Sequence, residues 1–256
     1  MTGEFTFDAY ERLLETIEEA GHEALTVREY LGWGERPERF VVLRHDVDRK
    51  EENAAVMAEL EADRGVSSTY YLRTSTFSPA LAERLVGLGH EVGYHYEDYV
   101  KAHGDLARAH RLFGANLRWF RRDVDVDTVC MHGNPLSPHD NREMWTAASA
   151  PSFGRYDLLG EAYLSMDFAD VTYFSDTGRT WLDGPLKIKD HTMGEGEKTV
   201  SADGTSDLVE LFRDGAIDRA CLLAHPERWA GSLPELVVAR SKDRAINLVK
   251  RGIQVL

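Results

Sequence analysis

Two carboxylates stand two residues apart in Arg44-His45-Asp46-Val47-Asp48, directly after the apolar run Phe40-Val41-Val42-Leu43. Carboxylates this close repel each other unless a cation or a proton relieves them. A divalent metal would do so and would add Lewis acidity for hydrolysis. The plainer reading makes one Asp the cap of the following helix and leaves the other in solvent. Four more polar clusters also follow short apolar runs: His95-Tyr96-Glu97-Asp98, His132-Gly133-Asn134, Ser175-Asp176-Thr177-Gly178-Arg179 and His225-Pro226-Glu227-Arg228. Taken singly, each of these histidines is more often structural than a ligand. Taken together, His95, His132 and His225 with two aspartates are the usual donors for zinc and similar ions. His90 and Glu91 would point to opposite faces of a strand, so one of them supports a helix layer. His22, His103, His110, His139 and His191 lie in polar or helical segments and read as solvated, with His103 and His139 as second-choice ligands.

An alternation of apolar runs and amphipathic stretches must position these clusters. Strands are expected at 40–43, 68–72, 91–94, 128–131, 171–174 and 220–223. Helical spacing covers 52–63, 104–121 and 208–212, and Ser78-Pro79 opens another helix that stops near Gly87 to Gly89. A helix near 243–250 and a short strand at 253–256 would close the chain. The tracts 149–164 and 189–205 have weak patterns and read as long surface loops edging the site. Strands alternating with helices predict a mostly parallel sheet with outer helices, and continuous apolar strands fit a sheet covered on both faces. In such folds the active site forms at the carboxyl ends of the strands, where all five polar clusters fall.

Composition narrows the classes. The chain has 256 residues, 43% of them hydrophobic, enough for one sizeable core. It has no apolar run of about 18 residues, so no membrane span is expected. Its start, Met-Thr-Gly-Glu-Phe-Thr-Phe-Asp, lacks the pattern of a secretory signal, which favours the cytoplasm. The net charge of −14 disfavours nucleic acid as a partner. Only 7 of the 30 basic residues are Lys, and acidic excess with little Lys suggests a salt-rich, halophilic cytoplasm. Cys130 and Cys221 sit in apolar runs and read as buried, inert thiols; two cysteines make no disulfide framework. Oligomeric state is not legible.

Three segments then carry a resemblance: Arg44 to Asp48, Gly-His-Glu-Val-Gly-Tyr-His at 89–95, and Leu-Leu-Ala-His-Pro-Glu-Arg-Trp at 222–229. In this order they resemble the polysaccharide deacetylase superfamily, carbohydrate esterase family 4. Met-His-Gly-Asn-Pro-Leu-Ser at 131–137 and Ser-Asp-Thr-Gly-Arg-Thr-Trp at 175–181 resemble a branch associated with surface-glycan biosynthesis. The match covers about 38–230 within one domain spanning 1–256. It implies a distorted (β/α)7-type barrel and a divalent metal, zinc first. It makes Asp46 the general base, Asp48 and His95 metal ligands, and His225 the late catalytic histidine. The chain departs from the pattern in three places: Val47 separates aspartates that are adjacent in the family, Tyr99 stands where a second metal histidine is expected, and the usual Arg-Pro-aromatic segment near that region is absent. His132 is the expected replacement ligand. Arg44 would pair with Asp46 and keep it ionised. Asn134, Asp176, Arg179, Trp181 and Trp229 are expected to contact substrate, the two tryptophans as stacking walls. The expected reaction removes an acyl group from an amino sugar or glycan. The alternatives are hydrolysis of a non-sugar amide or ureide, and an inactive glycan-binding protein.

Overall fold

The computed structural model describes residues 4–184, 187–192, 198–232 and 234–237. The helix and strand expected at 243–250 and 253–256 lie outside them.

Among the described residues eight strands form: β1 (Glu23–Leu25), β2 (Phe40–Val47), β3 (Thr69–Leu72), β4 (Glu91–Tyr96), β5 (Thr128–Met131), β6 (Gly160–Glu161), β7 (Thr172–Ser175) and β8 (Arg219–Ala224). All pair in parallel, in the order β6-β5-β4-β3-β2-β8-β7. Strand β1 shares an edge of β2 with β3: it pairs with residues 40–42, and β3 pairs with 44–47. Every residue of β2, β3, β4 and β5 is buried, the reason their apolar stretches Phe40-Val41-Val42-Leu43, Tyr70-Tyr71-Leu72 and Val129-Cys130-Met131 are continuous. Gly93 serves the close packing. A Cβ there would lie 2.9 Å from the Thr128 carbonyl oxygen and nearer still to the Tyr71 ring.

The outer helices are α1 (Phe7–Glu19), α2 (Val27–Gly32), α3 (Glu51–Ala62), α4 (Pro79–Gly87), α5 (Asp98–Lys101), α6 (Leu106–Phe120), α7 (Glu143–Thr146) and α8 (Thr205–Arg213). Ser78 caps α4 as its sequence predicts, accepting from the Leu81 amide. Helix α1 buries Tyr10, Leu13, Leu14 and Ile17 in one apolar cluster with Leu208 and Phe212 of α8. Its stripe at i, i+3, i+4 and i+7 is legible in the sequence, but the expected fold began only at residue 40. Two short strands also lie outside the expected set. β1 has only three residues, and β6 only two within the tract read as a loop, too few to show a period.

The sheet is a curled, open barrel whose edges are β6 and β7. Side chains bridge those edges: the hydroxyls of Tyr163, just after β6, and Tyr173 on β7 are 3.3 Å apart. Both also donate to the Asp190 carboxylate. Cys130 and Cys221 are buried free thiols, and burial pushes Cys221 up to about 12. His22 departs from its reading as solvated. It is buried, with Nε2 2.8 Å from the Ile217 carbonyl. No helix among the described residues is long and apolar enough to cross a membrane.

Candidate active site

Side chains alternate along β2, so Arg44 and Asp46 face the barrel interior while His45 turns to the helices. Asp48 leaves the strand end beside them. Arg44 is wholly buried; its Nη2 lies 3.2 Å from Asp46 Oδ2, and its guanidinium sits 4.2 Å from the Tyr163 ring centroid. Asp46 Oδ1 is buried without a hydrogen-bond partner. His45 is an anchor, not a ligand. Its Nε2 lies 2.7 Å from Glu61 Oε1, and Glu61 also accepts from Tyr10, Ser68 and Tyr70. Burial alone would raise Glu61, yet His45, His90 and these hydroxyls lower it to about 2.

Asp48, His95 and His132 converge. His95 Nδ1 lies 3.0 Å from the Cys130 carbonyl, a contact that orients the ring with Nε2 toward Asp48. That Nε2 is 3.5 Å from Asp48 Oδ1 and 3.3 Å from His132 Nδ1, and His132 Nδ1 is 2.9 Å from Asp48 Oδ1. Ligands of a tetrahedral zinc, bound at about 2.0–2.2 Å, stand about 3.3 Å apart, so this triangle fits such an ion. Asp48 Oδ1 is a buried oxygen without a well-formed hydrogen bond, as a ligand atom would be. Burial opposes its charge, but the two imidazoles hold Asp48 well below the usual carboxylate range. Backbone bonds seat His132: its amide donates to the Tyr96 carbonyl and its own carbonyl accepts from Asn141. Asp46, His95 and Cys130 also lie close together. That group is the poorer one, because Asp46 is committed to Arg44 and burial keeps the Cys130 thiol protonated.

His225 follows β8. Its Nδ1 lies 2.6 Å from Asp176 Oδ1, and Asp176 Oδ2 accepts from the His225 amide and the Trp229 indole, each at 2.9 Å. Burial and Arg228 oppose its charge, but Asp176 and Glu227 push His225 up to about 9. His225 therefore holds a proton at neutral pH. It shares with Asp46, Asp48, His95 and His132 a cleft of about 390 Å³.

Three expected substrate contacts, Asp176, Trp181 and Trp229, are corrected by their burial. Asp176 is fully buried and orients His225 instead of meeting substrate. Trp181 and Trp229, 1% and 0% exposed, pack on Phe5 in the core and form no cleft wall. Asn134 turns its own loop, its Oδ1 accepting from the Leu136 amide, while Gly133 and Pro135 line the cleft. Arg179 reaches back to the Glu227 carbonyl. Tyr99 sits on α5 against His139, and neither lines the cleft. The sequence reading missed Asp190, whose carboxylate accepts from Ser175, Tyr163 and Tyr173 at the barrel seam. These bonds hold it below the usual range despite burial. It lies in a stretch without periodicity, so nothing in the sequence marks it.

No family model matches the chain, and no curated protein matches it. Solved structures similar to it are family 4 carbohydrate esterases. One from Streptococcus mutans is 12% identical with a TM-score of 0.47, over 91% of this chain and 90% of that one. A family 4 esterase from Bacillus anthracis is 11% identical with a TM-score of 0.43, over 93% and 86%. A family 4 pseudoenzyme from the same organism is 12% identical with a TM-score of 0.43, over 82% of this chain and 62% of that one.

Proposed function

We propose that the chain is a metal-dependent hydrolase that removes an acyl group from an amino sugar or glycan. One observation carries the reading: a candidate base with a free buried oxygen and a protonated histidine share one cleft with a three-donor metal site. A cation held by Asp48, His95 and His132 supplies Lewis acidity to water and to the acyl carbonyl.

The chain's own residues do the rest. Arg44 pairs with Asp46 at 3.2 Å in a buried place and holds its carboxylate in position. Asp46 Oδ1 takes the proton of the water that adds to the acyl carbon. His225 gives its proton to the leaving nitrogen as the C–N bond breaks, so one water and one amide become a carboxylic acid and an amine, and the proton taken up by Asp46 balances the one His225 gave. Asp176 holds His225 by Nδ1 and leaves Nε2 for the transfer. The departure at Tyr99 does not empty the metal site, because His132 from the next strand end supplies a third donor. A pure binder needs neither the base nor the acid.

Asp46→Asn and His225→Ala should each lower the turnover of an N-acetyl amino sugar by about 100-fold or more, with circular dichroism unchanged. Full activity of either variant sinks the assigned roles. Turnover of small amides or ureides but of no acyl sugar moves the substrate to the non-sugar class. Sugar binding without turnover marks an inactive binder.

A further inference from the structure

The cleft's charge distribution goes further than the reaction. Four cationic side chains line it: Arg49 after β2, Arg73 after β3, Arg228 after β8 and Lys189 beyond β7. The strands β3, β2, β8 and β7 are consecutive neighbours in the sheet, so the cations form one arc of the rim. The β4 and β5 side offers His95, His132, Gly133 and Pro135 instead. Four cations on one side of a cleft are notable on a chain of net charge −14, although Asp46, Asp48, Glu227 and Asp190 line the same side.

Of the four acids that line the cleft, Asp46, Asp48 and Asp190 are engaged elsewhere, and Glu227 is the one beside Arg49 and Arg228. Asp46 is committed to Arg44, Asp48 to two imidazoles and Asp190 to three hydroxyls. Arg73 shares Glu97 with Lys101, two cations on one carboxylate. The nearest acid to Arg228 is Asp176, 3.6 Å away and already held by His225 and Trp229. Arg49, its side chain 70% exposed, lies 3.7 Å from Glu227. Lys189 is tied to the Ser137 and His139 carbonyls, which carry no charge. The Nε atoms of Arg73 and Arg228 are buried with no hydrogen-bond partner.

We propose that the acyl sugar entering this cleft carries an oxyanion, a phosphate or a carboxylate, received by Arg49, Arg73 and Arg228 with Lys189 closing the arc. Guanidinium groups match both anions in a bidentate fashion. The acyl-sugar part rests on the hydrolase reading; the anion seat does not need turnover.

Calorimetry with deacylated sugars tests the seat separately, comparing glucosamine with glucosamine 1-phosphate, glucosamine 6-phosphate and muramic acid. It is run on the full chain, metal-loaded and chelator-stripped, at low and molar KCl. The expected result is that an anionic sugar binds the stripped protein about tenfold or more tighter than glucosamine. The preference should shrink in molar KCl and collapse in the Arg49→Ala, Arg73→Ala double variant. If the double variant does not fold, the exposed Arg49→Ala change alone should still reduce it. The phosphate and carboxylate arms identify which anion is recognised. Equal binding of all four sugars overturns the proposal, as does a preference that needs the metal and survives the double variant. A preference without any turnover upholds the seat and removes the hydrolase reading. Turnover without a preference does the reverse.

Discussion

Asp176 shows what one buried carboxylate does in this cleft. It accepts from the His225 ring, the His225 amide and the Trp229 indole at once, so it fixes both the tautomer and the aim of the proposed acid. With His225 raised to about 9, the acid form persists through neutral pH, and activity should fall as pH rises through that value. Asp176→Asn removes the charge that raises His225, so the alkaline limb of kcat/KM should move to lower pH. An unmoved limb means another group supplies the proton. For stability the sign is the same. A raised folded value means His225 contributes below about pH 6.5, its unfolded range, and the contribution disappears as pH climbs toward 9. At the proposed metal site, the chain should bind about one zinc or similar ion, and His132→Ala should reduce it to a small fraction, read by elemental mass spectrometry. Retention of the full ion in that variant would remove His132 from the ligand set.

At the scale of elements, the spacing in Arg44-His45-Asp46 acquires its meaning from the strand. A period of two sends Arg44 and Asp46 inward together and sends His45 to Glu61 between the helices and the sheet. Adjacent aspartates would straddle that alternation, and the intervening Val47 avoids it. The β3-β4-β5 stretch depends on Gly93 for the Tyr71 ring to lie against the strand. Gly93→Ala should cost roughly 1–3 kcal/mol in urea unfolding, because the Thr128 backbone cannot withdraw without loosening the β4–β5 pairing that seats His95 and His132. An unchanged midpoint would mean that the strands have room to part.

Over the whole molecule, 44 acidic residues oppose 30 basic ones, and the repulsion is long-ranged. The thermal midpoint should therefore rise between low and molar KCl as the charges are screened; a midpoint indifferent to salt would discard the halophilic reading. The alternation of buried strands and amphipathic helices, the parallel sheet and the rim carrying all five polar clusters were legible in the sequence, because local period and burial are written residue by residue. That Asp46, Asp48, His95, His132 and His225 share one cleft was legible for the same reason: each lies at or just beyond the end of a strong strand. Other features were decided only by the tertiary structure. Trp181 and Trp229 went to the core because Phe5 and Tyr10 of the N-terminal segment pack on them, contacts some 170 residues or more away in sequence. Asp190 reached the seam because the curl of the sheet brings Tyr163 and Tyr173 together. Closure of a barrel is a long-range event, and no local pattern encodes which loop residue will meet its edges.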